Sequence, residues 1–318
     1  MTGKRTPNEP RHRFERQEGY VTVPGGKVWY RIAGVDQPGL PLLVLHGGPG
    51  ATHDYLEPLA ALADERPVIF YDQLDCGKSE KTDNPEDWTI ARYLAELHQV
   101  CRTLNLRRVH LLGQSWGAVL AVEYALGEGS DRAASLVLSG PLLNTAQWLA
   151  DQNIYIDHLP PELRDIIRHT EAAEDFASPA YQDAMMAYYR RHVCRLETWP
   201  KCLNRSFSRV NPKLYQYMWG PSEFTVTGTL KRYDVTARLP ELTLPVLFTC
   251  GADDEAAPET VRGYRDRVPG ADIHVFAAAS HEHHLEQPEE YLAVVRQFLS
   301  RADHAAAAEK RRTASQAT

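Results

Sequence analysis

Along this chain, short apolar runs alternate with stretches whose apolar residues recur every three or four positions. The runs are "KVWYRIA", "LPLLVLH", "RPVIFYD", "RRVHLLG", "ASLVLSG", "LPVLFTC" and "ADIHVFA". They are rich in Val, Ile, Leu and Phe, and several are apolar throughout. That is how strands covered on both faces of a parallel sheet read. Helical spacing occupies the intervals at about 53–64, 89–105, 116–127, 258–268 and 288–301. The alternation predicts an α/β fold with a mostly parallel, doubly wound sheet. One interval breaks it. From 144 to 239 no run reads as a strand, and Tyr, Trp and Arg are frequent. This predicts an inserted helical cap over the carboxyl ends of the strands, where ligands bind in open α/β sheets.

The expected organisation is a core in two parts, 19–143 and 240–302, with the cap at 144–239 between them. Residues 1–18 and 303–318 are charged or lack an apolar period and read as flexible arms. The net charge of −7 over 318 residues provides no basic field for nucleic acid. The polar N-terminus has no apolar signal core, and no run approaches the roughly 20 apolar residues of a membrane span. The five cysteines are scattered and odd in number, which suits a reducing cytoplasm better than a disulfide framework. Cys194 and Cys202 have no second pair at metal-site spacing. The sequence leaves the oligomeric state open.

The chemistry is carried first by Gly113-Gln114-Ser115-Trp116-Gly117, set between a strand and a helix. This is G-x-S-x-G, a sharp turn that exposes a serine hydroxyl beside a helix N-terminus. A serine nucleophile needs a base, and the base needs an orienting carboxylate. On this kind of scaffold the chain order is serine, acid, histidine. Ser115, Asp254 in "CGADDEAAPE" and His281 in "ASHEHHLE" follow that order, each just after a strand. The loop "HGGPG" offers Gly47, Gly48 and Gly50, whose backbone N–H groups can face a developing oxyanion. It lacks the features of a phosphate-cradling loop.

Together "HGGPG", "FYDQLDCGKSE", "GQSWG", "MWGPSEF" and "GADDEAAP" resemble the proline iminopeptidases and their relatives, the tricorn-interacting aminopeptidases and bacterial L-amino-acid amidases. The resemblance covers about residues 19–302 and implies the α/β-hydrolase fold. It implies Ser115 as nucleophile, Asp254 as orienting acid and His281 as base, with Gly48 and Trp116 as oxyanion donors. It implies that Glu223 and Glu255 hold the free α-ammonium of a small peptide or amino-acid amide, and that no metal or organic cofactor takes part. Asp75 stands where relatives commonly have Gly, an expected change in the loop's turn or in the charge near the site.

Several readings compete. Asp253 is the rival of Asp254 for the orienting role. Asp253 and Glu259 read as solvated acids, the latter in the first turn of a helix. His283 and His284 read as surface or supporting histidines, with a metal site at "HEHH" as the rival. The cap aromatics read as packing, and the pairs Arg107/Arg108 and Arg190/Arg191 as solvated faces. The favoured activity is serine-dependent removal of an N-terminal residue, or cleavage of an amino-acid amide. An esterase, lactonase or tailoring hydrolase would use the same triad. A non-catalytic small-ligand receptor would not need it intact.

Overall fold

The computed structural model describes residues 15–316. Of the expected N-terminal arm, residues 1–14 lie outside the described residues. Its last three, Arg16, Gln17 and Glu18, are not an arm. They open strand β1 (Arg16–Val23), which folds back on β2 (Gly26–Ala33) through a turn holding Gly25 at φ +92°. Strand β1 escaped the pattern because only its second half alternates, with Val21 and Val23 buried and Thr22 exposed. An edge ribbon with one solvated face has few apolar positions to read.

Strands β3 (Leu42–Leu45), β4 (Val68–Tyr71), β5 (Val109–Gln114), β6 (Ala133–Ser139), β7 (Val246–Gly251) and β8 (Asp272–Phe276) complete the sheet. The order is β1-β2-β4-β3-β5-β6-β7-β8, parallel from β4 to β8 and antiparallel at the β1–β2 and β2–β4 pairings. Every residue of β3 to β7 is buried, so these strands are covered on both faces and mostly apolar. Leu43, Leu45, Leu111, Leu136 and Leu138 face helices α1 (Ile90–Thr103) and α2 (Trp116–Ala125). Leu42, Val44, Leu112 and Val137 face the opposite layer. Each such side chain contributes on the order of 1.5–3 kcal/mol when fully buried, so the two-sided alternation fixes the register.

The opposite layer contains the segment His53–Asp64, expected as a helix and found as a 3-10 helix. Pro58 inside it lacks the N–H that an α-helical turn requires. The insert between β6 and β7 carries α3 (Thr145–Asp157), α4 (Pro161–Ala173), α5 (Pro179–His192), α6 (Lys201–Ser208) and α7 (Pro212–Met218). It has a core of its own, built on Ile156, Ile167, Tyr181, Tyr188, Tyr189 and Phe224. After β7 come α8 (Pro258–Arg265), β8, the single turn α9 (His283–Glu286) and α10 (Pro288–Gln316).

Helix α10 overruns the expected boundary at 302, so residues 303–316 are helical and not a loose tail. Two causes combine. Asp303 is anchored to Arg66 Nη1 at 3.1 Å and to His110 Nε2 at 3.0 Å. Beyond it, "AAAAEKRR" consists of strong helix formers.

Helix α6 is tied to the 3-10 segment by charge. Arg205 Nε meets Asp54 Oδ1 at 2.6 Å, Arg209 Nη1 meets Asp54 Oδ2 at 3.2 Å, and Arg205 also pairs with Glu57. His53, Asp54 and Glu57 cluster closely enough to suggest a cation site, but arginines already neutralise both acids. Among the described residues no helix is long and apolar enough to cross a membrane.

Candidate active site

Strand β5 delivers Ser115 to the start of α2 at φ +53°, ψ −118°, a conformation that costs a non-glycine residue on the order of 1–3 kcal/mol. The flanking glycines make the turn possible. A Cβ at Gly113 would stand 2.3 Å from the Gly117 carbonyl oxygen, and one at Gly117 would stand 2.1 Å from that of Leu45. Ser115 N–H donates to the Ser139 carbonyl at 2.9 Å, which fixes the elbow to β6. The serine is 8% exposed and lines a cavity of about 440 Å³.

His281 lines the same cavity. Its Nδ1 lies 2.7 Å from Asp254 Oδ1, so Nδ1–H donates and Nε2 is left for the cavity side. Asp254 also accepts from Ala256 N–H at 2.8 Å and, through Oδ2, from Gly251 N–H at 3.1 Å. Burial alone would raise its pKa, but His281 and His283 outweigh burial and hold this carboxyl well below the usual range. Asp253 turns away, half-exposed and paired with Arg195. Glu259 sits in the first turn of α8, exposed and 2.7 Å from Arg262. The neighbouring acids thus face different ways.

The "HEHH" histidines diverge. His283 Nε2 meets Ser139 Oγ at 2.9 Å and Thr249 Oγ1 at 3.0 Å, while its Nδ1 faces Asp254 Oδ2 at 3.6 Å. His284 Nε2 meets the Tyr55 carbonyl at 3.1 Å. Both are buried, so neither is a surface histidine. They follow the serine-side loop into the core because α9 folds back against Tyr55 and Tyr291.

The third side of the cavity comes from the insert, with Glu255 added from the segment after β7. Glu223 Oε1 accepts from Tyr215 Oη at 2.7 Å, and its backbone N–H donates to Tyr189 Oη at 3.3 Å. Glu255 is 1% exposed; its Oε1 lies 3.5 Å from His281 Nε2, and its Oε2 has no partner. Burial, then Glu223, then Asp254 push the Glu255 carboxyl well above its ordinary range, against the pull of His281. Burial also raises Glu223. Burial opposes the charge on His281, but Asp254 and Glu255 win and lift it to about 10. The cavity thus resists ionisation of Glu223 and Glu255 and favours the protonated imidazole.

Gly48 lines the cavity at φ +109°, and Trp116 is the first residue of α2. The Trp116 ring is held away by Nε1–H donating to Gln73 Oε1 at 2.9 Å. Gln73 in turn donates from N–H to His46 Nε2 at 3.0 Å and from Nε2 to the His46 carbonyl at 3.0 Å. Gly47 N–H donates to Tyr55 Oη at 2.7 Å, and Tyr55 Oη donates to Gln114 Oε1 at 2.5 Å. These buried polar residues hold the "HGGPG" loop against the elbow. The sequence reading missed them; the polar residues inside otherwise apolar segments were the available signal.

Asp75 does not line the cavity. It is buried at φ +66°, the left-handed region where glycine is favoured. Its carboxylate accepts from Thr82 N–H at 2.5 Å, Asp83 N–H at 3.0 Å and Trp88 Nε1–H at 2.9 Å. The departure organises the loop and adds no charge to the pocket.

Residues 41–288 match a family model described as the alpha/beta hydrolase fold. The chain is 42% identical over 284 residues to a proline iminopeptidase of Heyndrickxia coagulans, covering 89% of this chain and 98% of the relative. It is 35% identical to that of Lactobacillus acidophilus, covering 90% and 99%. The chain belongs to the proline iminopeptidase family. Solved structures agree. The proline iminopeptidase of Mycobacterium smegmatis superposes with a TM-score of 0.84 at 38% identity, covering 91% of this chain and 100% of that one. VinJ superposes at 0.87 with 33% identity, covering 90% and 99%. An esterase from Exiguobacterium antarcticum, at 20% identity and 0.65, shares the fold alone. The member described here is an enzyme, a serine hydrolase of the aminopeptidase type.

Proposed function

We propose that this enzyme removes an N-terminal residue, proline or another small apolar one, from short peptides, with amino-acid amides as alternative substrates. The observation that supports it best is one cavity lined by Ser115, by His281 of the His281–Asp254 couple, and by two acids, the half-buried Glu223 and the buried Glu255. A triad alone would serve any ester. A cation between these two acids would let them ionise and would give the unpartnered Glu255 Oε2 a donor.

In the proposed reaction the substrate's α-ammonium lies between Glu223 and Glu255, which brings its carbonyl to Ser115. Ser115 Oγ attacks the carbonyl carbon as its proton passes to His281 Nε2. The Gly48 and Trp116 N–H groups receive the oxyanion. His281 gives the proton to the leaving amine as the C–N bond breaks. Water, deprotonated by the same nitrogen, then releases the acyl group from Ser115. Asp254 holds Nδ1–H throughout. Charge on the incoming ammonium also reduces the pull of Glu255 on His281. The imidazole, whose protonated form the neighbouring acids favour, thereby becomes a readier base.

The test compares prolyl and N-acetylprolyl arylamides. Acetylation deletes the cation that Glu223 and Glu255 would hold, an expected loss of roughly 2–5 kcal/mol, or about 30- to 4,000-fold in kcat/KM. Equal use of both substrates would replace this reading with an esterase-type or tailoring hydrolase. The cytoplasmic placement suggested by cysteine usage is likewise a proposal, tested by cell fractionation.

A further inference from the structure

Helix α5 of the insert ends at His192, against the two loops that follow β7 and β8. Carbonyls in the last turn of a helix have no partner within it. That of His192 accepts twice from outside, from His281 N–H at 3.0 Å and from Glu255 N–H at 3.3 Å. One residue on, the Val193 carbonyl accepts from Glu282 N–H at 2.8 Å. A single oxygen of the insert thus bridges the segment that carries Asp254 and the one that carries His281. The His192 side chain adds a further bond. Its Nδ1 lies 2.9 Å from the Asp253 carbonyl, which only accepts, so Nδ1 carries the proton and donates. The half-buried ring stacks on Tyr155 of α3, centroids 4.3 Å apart and planes 17° from parallel, and tilts against Tyr188 at 4.8 Å. Burial, then Arg191, with Arg195 adding to them, outweighs Asp254 and draws the ring down to about 4, so the donor is a neutral imidazole.

The core holds one side of the acid loop. Asp253 N–H donates to the Ala279 carbonyl at 3.0 Å, and the Asp254 carboxylate accepts from Gly251 N–H and Ala256 N–H. The Asp253 carbonyl and both backbone groups of Glu255 are held from the insert instead. His192 serves the first and the Glu255 N–H; Gln152 Nε2–H donates to the Glu255 carbonyl at 2.8 Å. The Asp253 carbonyl belongs to the peptide plane that leads into Asp254. That plane is rigid, so releasing its oxygen lets the plane turn and carries with it the Cα from which the orienting carboxylate projects. The Asp253 side chain is a weaker hold, because its pair with Arg195 is half-exposed and such pairs contribute little.

We propose that His192 is a positioning residue for the reaction: its ring N–H, acting through the Asp253 carbonyl, holds Asp254 in reach of His281 Nδ1. The inference rests on the reading of Ser115, Asp254 and His281 as a triad. It makes the docking of the insert a condition for triad alignment as well as for substrate recognition.

The experiment measures kcat and KM on a prolyl arylamide and on a simple ester for His192→Phe and His192→Asn. Phe keeps a ring for Tyr155 and loses the donor. Asn loses the ring and keeps a donor, since its amide nitrogen, like Nδ1, follows Cγ. Neither variant alters the backbone carbonyl. His192→Phe lowers kcat by about tenfold or more on both substrates, the scale of a small misplacement among catalytic groups, and leaves the KM of the ester unchanged. His192→Asn stays within about threefold of wild type. Proton NMR gives a readout independent of turnover: the downfield signal of His281 Nδ1–H, bonded to Asp254, moves upfield or broadens in His192→Phe and returns in His192→Asn. His192→Leu takes the place of the Phe variant should that one not fold. Wild-type kcat in the donor-free variant, a loss confined to the prolyl arylamide, or an equal loss with Asn overturns the proposal. Ser115→Ala runs alongside. If it stays active on both substrates, the triad reading has failed; if it is inactive while His192→Phe turns over like wild type, only the role of His192 has.

Discussion

The carboxyl edge of the sheet and the helical insert build two halves of one cavity by different means. At the sheet edge, backbone geometry does the positioning. Ser115, Asp254 and His281 each follow a strand, and the elbow is locked by two glycines with no room for a side chain. In the insert, side chains do it. Tyr215 and Tyr189 hold Glu223 through their hydroxyls, beside a core that includes Tyr181, Tyr188, Tyr189 and Phe224. A strand end can be varied little without losing the sheet. A tyrosine-supported acid can be moved or replaced while the sheet stays intact. On the proposed reading the chemistry lies on the rigid half, and selection is shared between Glu223 in the adaptable half and Glu255, which follows β7.

The comparison predicts its largest effects at the sheet edge. Ser115→Ala should lose about 10⁴–10⁶ in kcat on every substrate, ester or amide, while remaining folded. A variant that kept a tenth of the activity would remove the serine from the mechanism. Asp254→Asn should cost on the order of 10⁴, because an amide favours the wrong tautomer of His281. Asp253→Asn should cost little, since its carboxylate meets only Arg195 at the surface. Comparable damage from both would show that the edge does not discriminate between adjacent acids as the geometry says.

Much of the rigid half was legible in the chain, and much of the adaptable half was not. Strands β3 to β7 are buried on both faces, so most of their residues are apolar and the runs stand out. The elbow is legible because G-x-S-x-G encodes a local backbone requirement. Strand β1 was hidden by its solvated face, and α10 overran its expected end because Asp303 meets partners nearly two hundred residues or more away. Glu223 and Glu255 entered through the resemblance to a family, since nothing local to "GPSEF" indicates a tyrosine partner eight residues earlier.

At the seam between the halves the expected effect is smaller and concerns pH. Glu255 Oε1 stands 3.5 Å from His281 Nε2, and its charge helps to hold the imidazole protonated. Removing an anion lowers the pKa of a neighbouring cation, so the free base appears at lower pH. On a simple ester, which brings no ammonium, the acid limb of kcat/KM for Glu255→Gln should move down by about one unit or more. For wild type with a free-amine substrate, the same limb should lie lower in kcat than in kcat/KM, because the bound ammonium offsets Glu255. A limb that stays fixed or moves up would mean that the acids and the histidine are electrostatically independent.

The smallest effect on catalysis is expected at Asp75, where the rigid half departs from the glycine common among the proteins it resembles. Two opposing terms meet at this position. At φ +66° a glycine relieves backbone strain, worth roughly 1 kcal/mol. Against that, the carboxylate serves Thr82 N–H, Asp83 N–H and Trp88 Nε1–H, and Trp88 is buried. Deleting the acceptor strands at least one buried donor, at roughly 1–3 kcal/mol, and the exposed Asp83 N–H can turn to water at little cost. The donors outweigh the strain, so Asp75→Gly should be destabilised by about 1–2 kcal/mol in urea unfolding with an unchanged m value. The Asp75 carbonyl, which accepts from Asn211 Nδ2 at 3.0 Å, survives the substitution and keeps the loop joined to the insert. Asp75 itself does not line the cavity, so kcat/KM should stay within about threefold of wild type, as for substitutions remote from the chemistry. A change above tenfold in kcat/KM without loss of stability would mean that this loop sets the substrate's path, and the division between a rigid catalytic half and an adaptable selective half would have to be redrawn to include it.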